Sequence, residues 1–586
     1  MTQTEEFATS IFAGIDDYMT AQLHEWKVPG LALAVVKDGE VAFARGFGKR
    51  NLTSGDEVTP RTVFAIGSSS KAFTASALAM LVDEGKLNWD VPVREYFPAF
   101  KLYDNSASER MTPRDLLIHN SGLPRHDLVW YRSSKSRKAL VEGLRYLEPS
   151  KDFRSTWQYQ NMMYATAGYL IECVSGLSWE DFVQQRIFEP LGMSNSYVND
   201  TSARAHAADY SLPYREKNGT IEEIPFYSHW QAVAPAGSIH SNVEDMSKWL
   251  SLHLNKGKLG EQQLISESQI TQLHSPQMAG VERELVTLDP KQLPELFYSS
   301  YALGWIVTSY RGNLLLHHGG SIAGFHALVA FLPTRNIGVA VLTNTHTSML
   351  ETVAVYHVLD LLLGVEPADW HGRHFKIYQG IMDAAQKGKA EVRADHVPDT
   401  QPSHDLAAYT GTFEHRGYGS VVVKLNGEHL TLCYNEVEAP LEHFHYDSFI
   451  FSHRAFDVDF RVTFALNVRG DVDSLSIPFE ARVSDIVFKR VASQALSENS
   501  YLAQFAGEYE IMLGESVFAV SVVLQGEVLV ATAPGQSSVE LEPYKENEFR
   551  FKHSPSQIVI FVRDDEGQIN QVRLPGGISA KRKSGI

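Results

Sequence analysis

GSSSKAFTASALAMLVDEGKL, residues 67–87, places three serines and a lysine ahead of apolar residues at helical spacing through Leu81. The spacing predicts an amphipathic helix that begins at the serines. A serine hydroxyl is a poor nucleophile at neutral pH and needs a base beside it. Side chains three residues apart share a helix face, and only Ser68 stands three before Lys71. A helix start also turns backbone N–H groups and the positive dipole end toward developing negative charge. The same pair is equally the pattern of an N-cap serine with a solvated first-turn lysine. Ser-x-x-Lys arises by chance on the order of once or twice in a chain of this size.

Outward from this stretch, LALAVVKDGEVAFARGFG (31–48) reads as two strands around a Lys37-Asp38-Gly39-Glu40 turn. Helical patterns follow in TPRDLLIHNSGL from Thr112, in MMYATAGYLIECVSG and in NVEDMSKWLSLHL. Strands return in LGWIVTSYRGNLLLHHGG and FHALVAFLPTRNIGVAVLTN, before a helix near TVAVYHVLDLLLG. The simplest arrangement is an α+β domain over residues 1–370, an antiparallel sheet built from both ends of the segment and flanked by helices.

The polar, proline-bearing stretch 371–404 reads as a linker. Beyond it the chain repeats itself. Tyr-Thr-Gly-Thr-Phe-Glu at 409–414 is echoed at 505–510, and Leu-Asn-Gly-Glu-His-Leu at 425–430 at 524–529. Asp447-Ser-Phe-Ile-Phe returns as Asn547-Glu-Phe-Arg-Phe, and RVTFALNVRGDVDSLSI answers to IVIFVRDDEGQINQVRL. A constant offset of roughly 100 residues marks duplicated units. Each alternates apolar and polar residues with turn residues between, and closure into a barrel removes the exposed edges. Two all-β antiparallel barrels are therefore expected, at 405–493 and 499–586.

With 586 residues the chain exceeds one core, and two to four domains are expected. The net charge of −18 argues against a nucleic-acid partner, which needs a basic face. Cys173 and Cys433, the two cysteines, build neither a disulfide framework nor a metal site. The start, MTQTEEFATSIFAGIDDYMTAQL, is acidic where a signal peptide is basic. The chain also lacks an uninterrupted apolar run of about 18 residues. A cytoplasmic protein with no membrane partner, metal or cofactor is the expectation.

Two further elements bear on Ser68. In WQYQNMMYATAGYLIE, Tyr159 and Asn161 form Tyr-x-Asn just before a helix. A tyrosine held near an ammonium would have its phenolate favoured and could act as a general base. The pattern is cheap, since Tyr103-Asp104-Asn105 repeats it. In LLLHHGGSIAGFHALVAFLP an apolar strand runs into His318-Gly319-Gly320 and Ser321. Glycines there let a backbone approach a substrate, and a strand edge can offer an N–H to an oxyanion. His317 and His318 are consecutive, so on a strand they face opposite ways, which suits one metal poorly.

In order, Ser68-x-x-Lys71, Tyr159-x-Asn161 and His318-Gly-Gly320 resemble the serine β-lactamase and penicillin-binding-protein-like superfamily, in its class C branch. LIHNSGLP (117–124), Pro235-Ala236-Gly237-Ser238 and Leu87-Asn88-Trp89-Asp90 look like that family's connecting signatures. The resemblance covers about residues 10–365. The repeated units are similar to lipocalin-like barrels attached to some D-aminopeptidases and to an archaeal D-specific serine peptidase.

The resemblance implies that Ser68 attacks a carbonyl carbon, that Lys71 shares its proton, and that Tyr159 serves as base and then acid. It implies that Asn161 positions the substrate amide and Lys71, and that the N–H groups of Ser68 and Ser321 form an oxyanion hole. His318 and Gly320 then belong to the substrate-binding strand. His318 stands where many relatives have lysine, although His317-His318-Gly319 is also a His-x-Gly. A neutral histidine gives a hydrogen bond but little fixed charge, which puts efficient penicillin hydrolysis in doubt.

An amide of D-residue peptides or aminoacyl amides is the expected substrate, acted on by a D-aminopeptidase-like serine hydrolase. The alternatives are a carboxylesterase of the same family and, in another class, a ligand-binding or scaffold protein with a vestigial centre whose barrels hold a hydrophobic ligand. HDLVWYRSSKSRKALVEGLRYL (126–147) reads either as a lid or as a surface helix. A barrel could join copies in a homo-oligomer or cap the cleft of its own subunit.

Overall fold

The hairpin expected at 31–48 forms as β1 (Gly30–Lys37) and β2 (Glu40–Gly48), turning through Asp38 and Gly39, both at positive φ. This computed structural model describes residues 11–228, 231–281, 292–453, 457–513 and 516–583. Residues 1–10, on which the signal-peptide reading partly rests, lie outside the described residues. Six more strands come from the far end of the segment. They are β3 (Met278–Ala279), β4 (Leu296–Tyr301), β5 (Ile306–Tyr310), β6 (Asn313–Ile322), β7 (Phe325–Leu332) and β8 (Ile337–Thr343).

The sheet runs β2-β1-β8-β7-β6-β5-β4-β3, antiparallel throughout. β1 pairs with β8, Val35 opposite Val339, so the two ends of the segment close one sheet. On one face lie α1 (Ile15–Glu25) and α5 (Leu350–Leu362), burying Met19, Val353 and Leu359 against Leu33, Leu328 and Val339. The other face carries α2 (Ser70–Asp83), α3 (Asn161–Ser175) and α4 (Val243–Leu254), with Phe73 stacked on Trp249 at 3.8 Å.

The amphipathic expectation for α2 is corrected. Every residue from Ser70 to Leu81 is buried. A helix enclosed on all sides is a central helix, and its many alanines and serines let neighbours approach closely. Whatever stands at its head is held from every side.

The segment read as a linker is largely helical: α6 spans Trp370–Val392, and Trp370 and His374 of its first turns are buried. Trp370 Nε1 donates to Asp360 of α5 at 2.8 Å, and that carboxylate also accepts from Tyr310 Oη (2.5 Å), Arg311 Nε (2.6 Å) and Ala368 N (3.1 Å). Asp360 has no solvent exposure. Removing one member of a buried charged network strands the others. Asp360→Ala should destabilise the protein by about 3 kcal/mol, read as a lower urea midpoint; an unchanged midpoint would remove this network from the fold's support.

The chain divides into two compact units, up to Gly388 and from Lys389 onward. The second contains two closed eight-stranded antiparallel barrels, the strands running from Gly411 to Val491 and from Gly507 to Arg582. The repetition reaches individual bonds. Arg490 on the last strand of the first barrel donates to the carbonyls of Thr410 and Ala408 (2.5 and 2.7 Å), and Arg582 does the same to Ala506 and Gln504 (2.5 and 3.2 Å). Within that unit, Arg550 donates to Asp473 and Tyr544 to Asp471, both at 2.9 Å, linking barrel to barrel. Among the described residues no helix is long and apolar enough to cross a membrane, and no three His, Cys, Asp or Glu gather as metal ligands.

Candidate active site

The three serines have three different tasks. Ser69 is the residue at the head of α2, but its hydroxyl caps no helix N–H and instead donates to the His318 carbonyl at 3.0 Å. Ser70 Oγ accepts from Ile239 N at 3.1 Å. Ser68 lies in the 3-10 turn Gly67–Ser69, half-buried, with its hydroxyl at Lys71 Nζ (3.1 Å) and hydrogen-bonded to Tyr159. It is no helix cap.

Lys71 is fully buried, against the reading of a solvated first-turn lysine. Nζ meets Ser68 Oγ, Asn161 Oδ1 at 2.9 Å and the Ala236 carbonyl at 2.7 Å. Burial, then the positive charge of Arg125, push its pKa well below the ordinary lysine value, with Asp127 opposing. A neutral amine has two N–H bonds and one lone pair. As an ammonium Nζ donates to all three oxygens; as a neutral amine, with its two N–H bonds on the two carbonyl oxygens, it turns its lone pair toward the Ser68 hydroxyl.

Tyr159 is positioned by the segment 117–124. Gln158 N donates to His119 O (2.8 Å) and Gln160 N to His119 Nδ1 (3.1 Å), so His119 brackets the tyrosine, with the two rings 4.4 Å apart. The expectation of a favoured phenolate is not met. Lys71 Nζ stands over the ring face, 4.7 Å from its centroid. Desolvation outweighs the hydrogen bond with Ser68 and the charge of Arg125, and lifts the phenol to about 12.

Asn161 holds Lys71 with its oxygen and donates Nδ2 to Asp127 Oδ1 at 3.1 Å. Asp127 also accepts from Trp130 Nε1 (2.9 Å) and Arg125 Nε (2.6 Å). Sequence reasoning missed Arg125, Asp127 and Tyr301. The first two sit at the edge of the segment read as a lid or surface helix; its helix Arg137–Gly143 buries Leu140 and Val141 and exposes Lys138 and Ala139.

β6 closes the site. A Cβ on Gly320 would lie 1.8 Å from the Ile66 carbonyl oxygen and 2.9 Å from Ser68 N; one on Gly67 would lie 2.7 Å from Ser321 N. Only glycines allow this approach, which brings the Gly67–Ser69 turn against the backbone of Gly320 and Ser321. The close approach falls at Gly320, two residues after His318. β5 pairs with β6 only as far as His317, so positions 318–322 have β7 on one side and, among the described residues, no strand on the other.

His318 departs from its expected role as a hydrogen-bonding group for substrate. Both ring nitrogens are occupied, Nδ1 by the Gly319 carbonyl (2.6 Å) and Nε2 by Tyr301 Oη (2.8 Å). Burial pushes its pKa down to about 3, so the ring is neutral and accepts from the tyrosine. His317 faces the other way and meets Thr308 Oγ1 at 3.2 Å. Ser68, Arg125, Tyr159, His318, Gly320 and Ser321 all line one cavity of about 450 Å³. Its permanent cation is at Arg125, paired with Asp127, and not at position 318.

A serine, a buried lysine and a tyrosine, gathered where a central helix meets the free edge of an antiparallel strand, define a penicillin-binding-protein-like serine hydrolase. The chain belongs to the Beta-lactamase family, whose pattern matches residues 15–363. A domain of unknown function, DUF3471, matches residues 395–490, which hold the first barrel. The chain is similar to Unguisins hydrolase ungD of Aspergillus violaceofuscus, 32% identical over 425 residues that make up 68% of this chain and 74% of the relative. It is also similar to Protein flp of Staphylococcus aureus, 25% identical over 57% of this chain and 63% of that protein. Among solved structures, the octameric penicillin-binding protein homologue from Pyrococcus abyssi shares the fold, with a TM-score of 0.53 at 21% identity, covering 89% of this chain and 98% of that one.

Proposed function

We propose that Ser68 is the nucleophile of an amide hydrolase, with D-residue peptides or aminoacyl amides as substrates. The observation that carries the reading is the threefold contact of Lys71, which holds its nitrogen at the Ser68 hydroxyl to take the serine proton once the amine is neutral. As Ser68 Oγ bonds to the carbonyl carbon, its proton passes to Lys71 Nζ and the carbonyl electron pair moves onto oxygen between the N–H groups of Ser68 and Ser321. When the C–N bond breaks, Tyr159 gives its proton to the leaving nitrogen, and the Lys71 ammonium restores it. Water then repeats the steps in reverse and frees the serine. Asn161 holds Lys71 in place, and homo-oligomerisation is part of the reading, as the Pyrococcus abyssi homologue is octameric.

Activity should rise with pH as Lys71 loses its proton, with a midpoint below the ordinary lysine range. With the phenol at about 12, no fall should follow up to about pH 10. Tyr159→Phe should lower kcat by about 10²–10³, the scale of a lost general acid. A kcat/KM profile that instead falls near the ordinary phenol pKa, or full activity of the phenylalanine variant, would overturn these roles.

The apolar share of the cavity wall, including Leu293, Leu296 and Leu328, favours a second reading as a carboxylesterase. p-Nitrophenyl esters, D- and L-aminoacyl anilides, and an unguisin, after the name of the fungal relatives, separate the two. The scaffold reading has less support. Its barrels carry contacting aromatic rings inside, such as Phe505 with Phe549 and Phe561 at 4.8 and 4.9 Å, where a hydrophobic ligand would have to sit.

A further inference from the structure

The cavity does not end at the nucleophile. On β6, His318 and Gly320 face α2, whereas Gly319 and Ser321 face the layer of α5, as do their β7 partners Leu328 and His326. The cavity that contains Ser68 also reaches Leu293, Leu296, Leu328, Met349 and Glu351 on that second face. It therefore passes round the unpaired edge of β6 and opens behind the strand as a chamber with mostly apolar walls.

Among the described residues, one acid lines this chamber. Glu351, in the first turn of α5, is 8% exposed. Its Oε1 is 3.4 Å from Thr352 Oγ1 and 3.8 Å from His326 Nδ1, its own backbone N–H favours the carboxylate, and among the described residues Oε2 has no hydrogen-bond partner. His326 spends Nε2 on the His346 carbonyl at 2.9 Å, and burial keeps its ring neutral, so it supplies no charge to the acid. A buried, unpaired carboxyl oxygen is costly unless something satisfies it. Burial raises this acid to about 8, so at neutral pH it is mostly protonated.

We propose that this chamber is a subsite of the Ser68 centre that receives an aliphatic chain ending in a primary ammonium, with Glu351 pairing the ammonium. Apolar walls suit the methylene stem, and the lone acid at the far face suits the tip. The proton that Glu351 carries leaves to solvent as the ammonium takes its place. That the chamber serves catalysis rests on Ser68 being the nucleophile; that it binds amines does not.

The test uses n-alkylamines and the n-alkanols of equal length, titrated calorimetrically into the full chain. In the unaltered protein and in Ser68→Ala, amines should bind about tenfold more tightly than matched alcohols, the scale of one charge-assisted hydrogen bond. Glu351→Gln, which resembles the protonated acid in shape and charge, should leave alcohol binding intact and bring the ratio to about one. Gly319→Val should weaken both series, because a Cβ at 319 meets nothing closer than 3.6 Å and the larger side chain enters the chamber. Equal binding of amines and alcohols by the unaltered protein, binding of neither, or a preference that survives Glu351→Gln would each overturn the proposal. If Ser68→Ala stays active while amines bind as expected, the nucleophile reading falls and the amine site stands; loss of turnover without amine binding has the opposite meaning.

Discussion

Ser68→Ala is expected to lower kcat by on the order of 10⁴-fold or more while the protein keeps its fold. The hydroxyl is half-buried, caps no helix and bonds only within the site, to Lys71 and Tyr159. Its removal leaves Lys71 with both carbonyl acceptors, so the stability cost should stay within about 1 kcal/mol. The variant should also give no covalent adduct by intact mass with a fluorophosphonate, whereas the unaltered protein gains one. Turnover at the original rate, or an adduct on the alanine protein, would show that another group is the nucleophile. The neighbouring serines supply internal controls, since Ser69 and Ser70 are committed to the backbone at His318 and Ile239.

Gly320→Ala and Gly319→Ala should part company sharply, although they are adjacent on one strand. At 320 the added methyl would lie 1.8 Å from the Ile66 carbonyl oxygen, which is backbone and cannot swing aside. The strand must retreat from the Gly67–Ser69 turn, and the Ser321 N–H moves with it. Loss of one oxyanion donor costs about 10²–10³ in kcat, and overpacking adds about 1–3 kcal/mol of destabilisation. At 319 the nearest atoms are the Ala327 oxygen at 3.6 Å and Leu328 Cδ1 at 3.9 Å, so the alanine variant should stay within about threefold of full activity. Steady-state kinetics and thermal melts of the pair decide the matter. Equal losses at both positions would mean that the close approach of strand and turn is not what the glycines serve.

Much of this protein was legible in its amino-acid order. Period-two and helical spacing placed the hairpin at 31–48, the strands around His318 and the helices after Tyr159 and Asn242, because those patterns report which face of an element is buried. The duplication after residue 405 declared two like units, and turn residues between alternating strands made them barrels. Ser68, Lys71 and Tyr159 were named from spacing, and the structure brings them together.

Other properties were decided only when distant segments met. Helical spacing made α2 an amphipathic element; packing against the sheet and its neighbouring helices makes it a buried one, and that enclosure pushes the Lys71 pKa well below the ordinary lysine value. The same desolvation raises Tyr159, where proximity to a cation argued the reverse. His318 became a prop for Tyr301 because a residue 17 positions away in the chain supplies the hydroxyl. Arg125 and Asp127 carry no motif, and Glu351 is an ordinary first-turn acid until β6 and β7 enclose it. Spacing along the chain fixes which side chains share a face. Charge state depends on how much water and which dipoles surround a group, and those are set by elements that the local sequence does not contain.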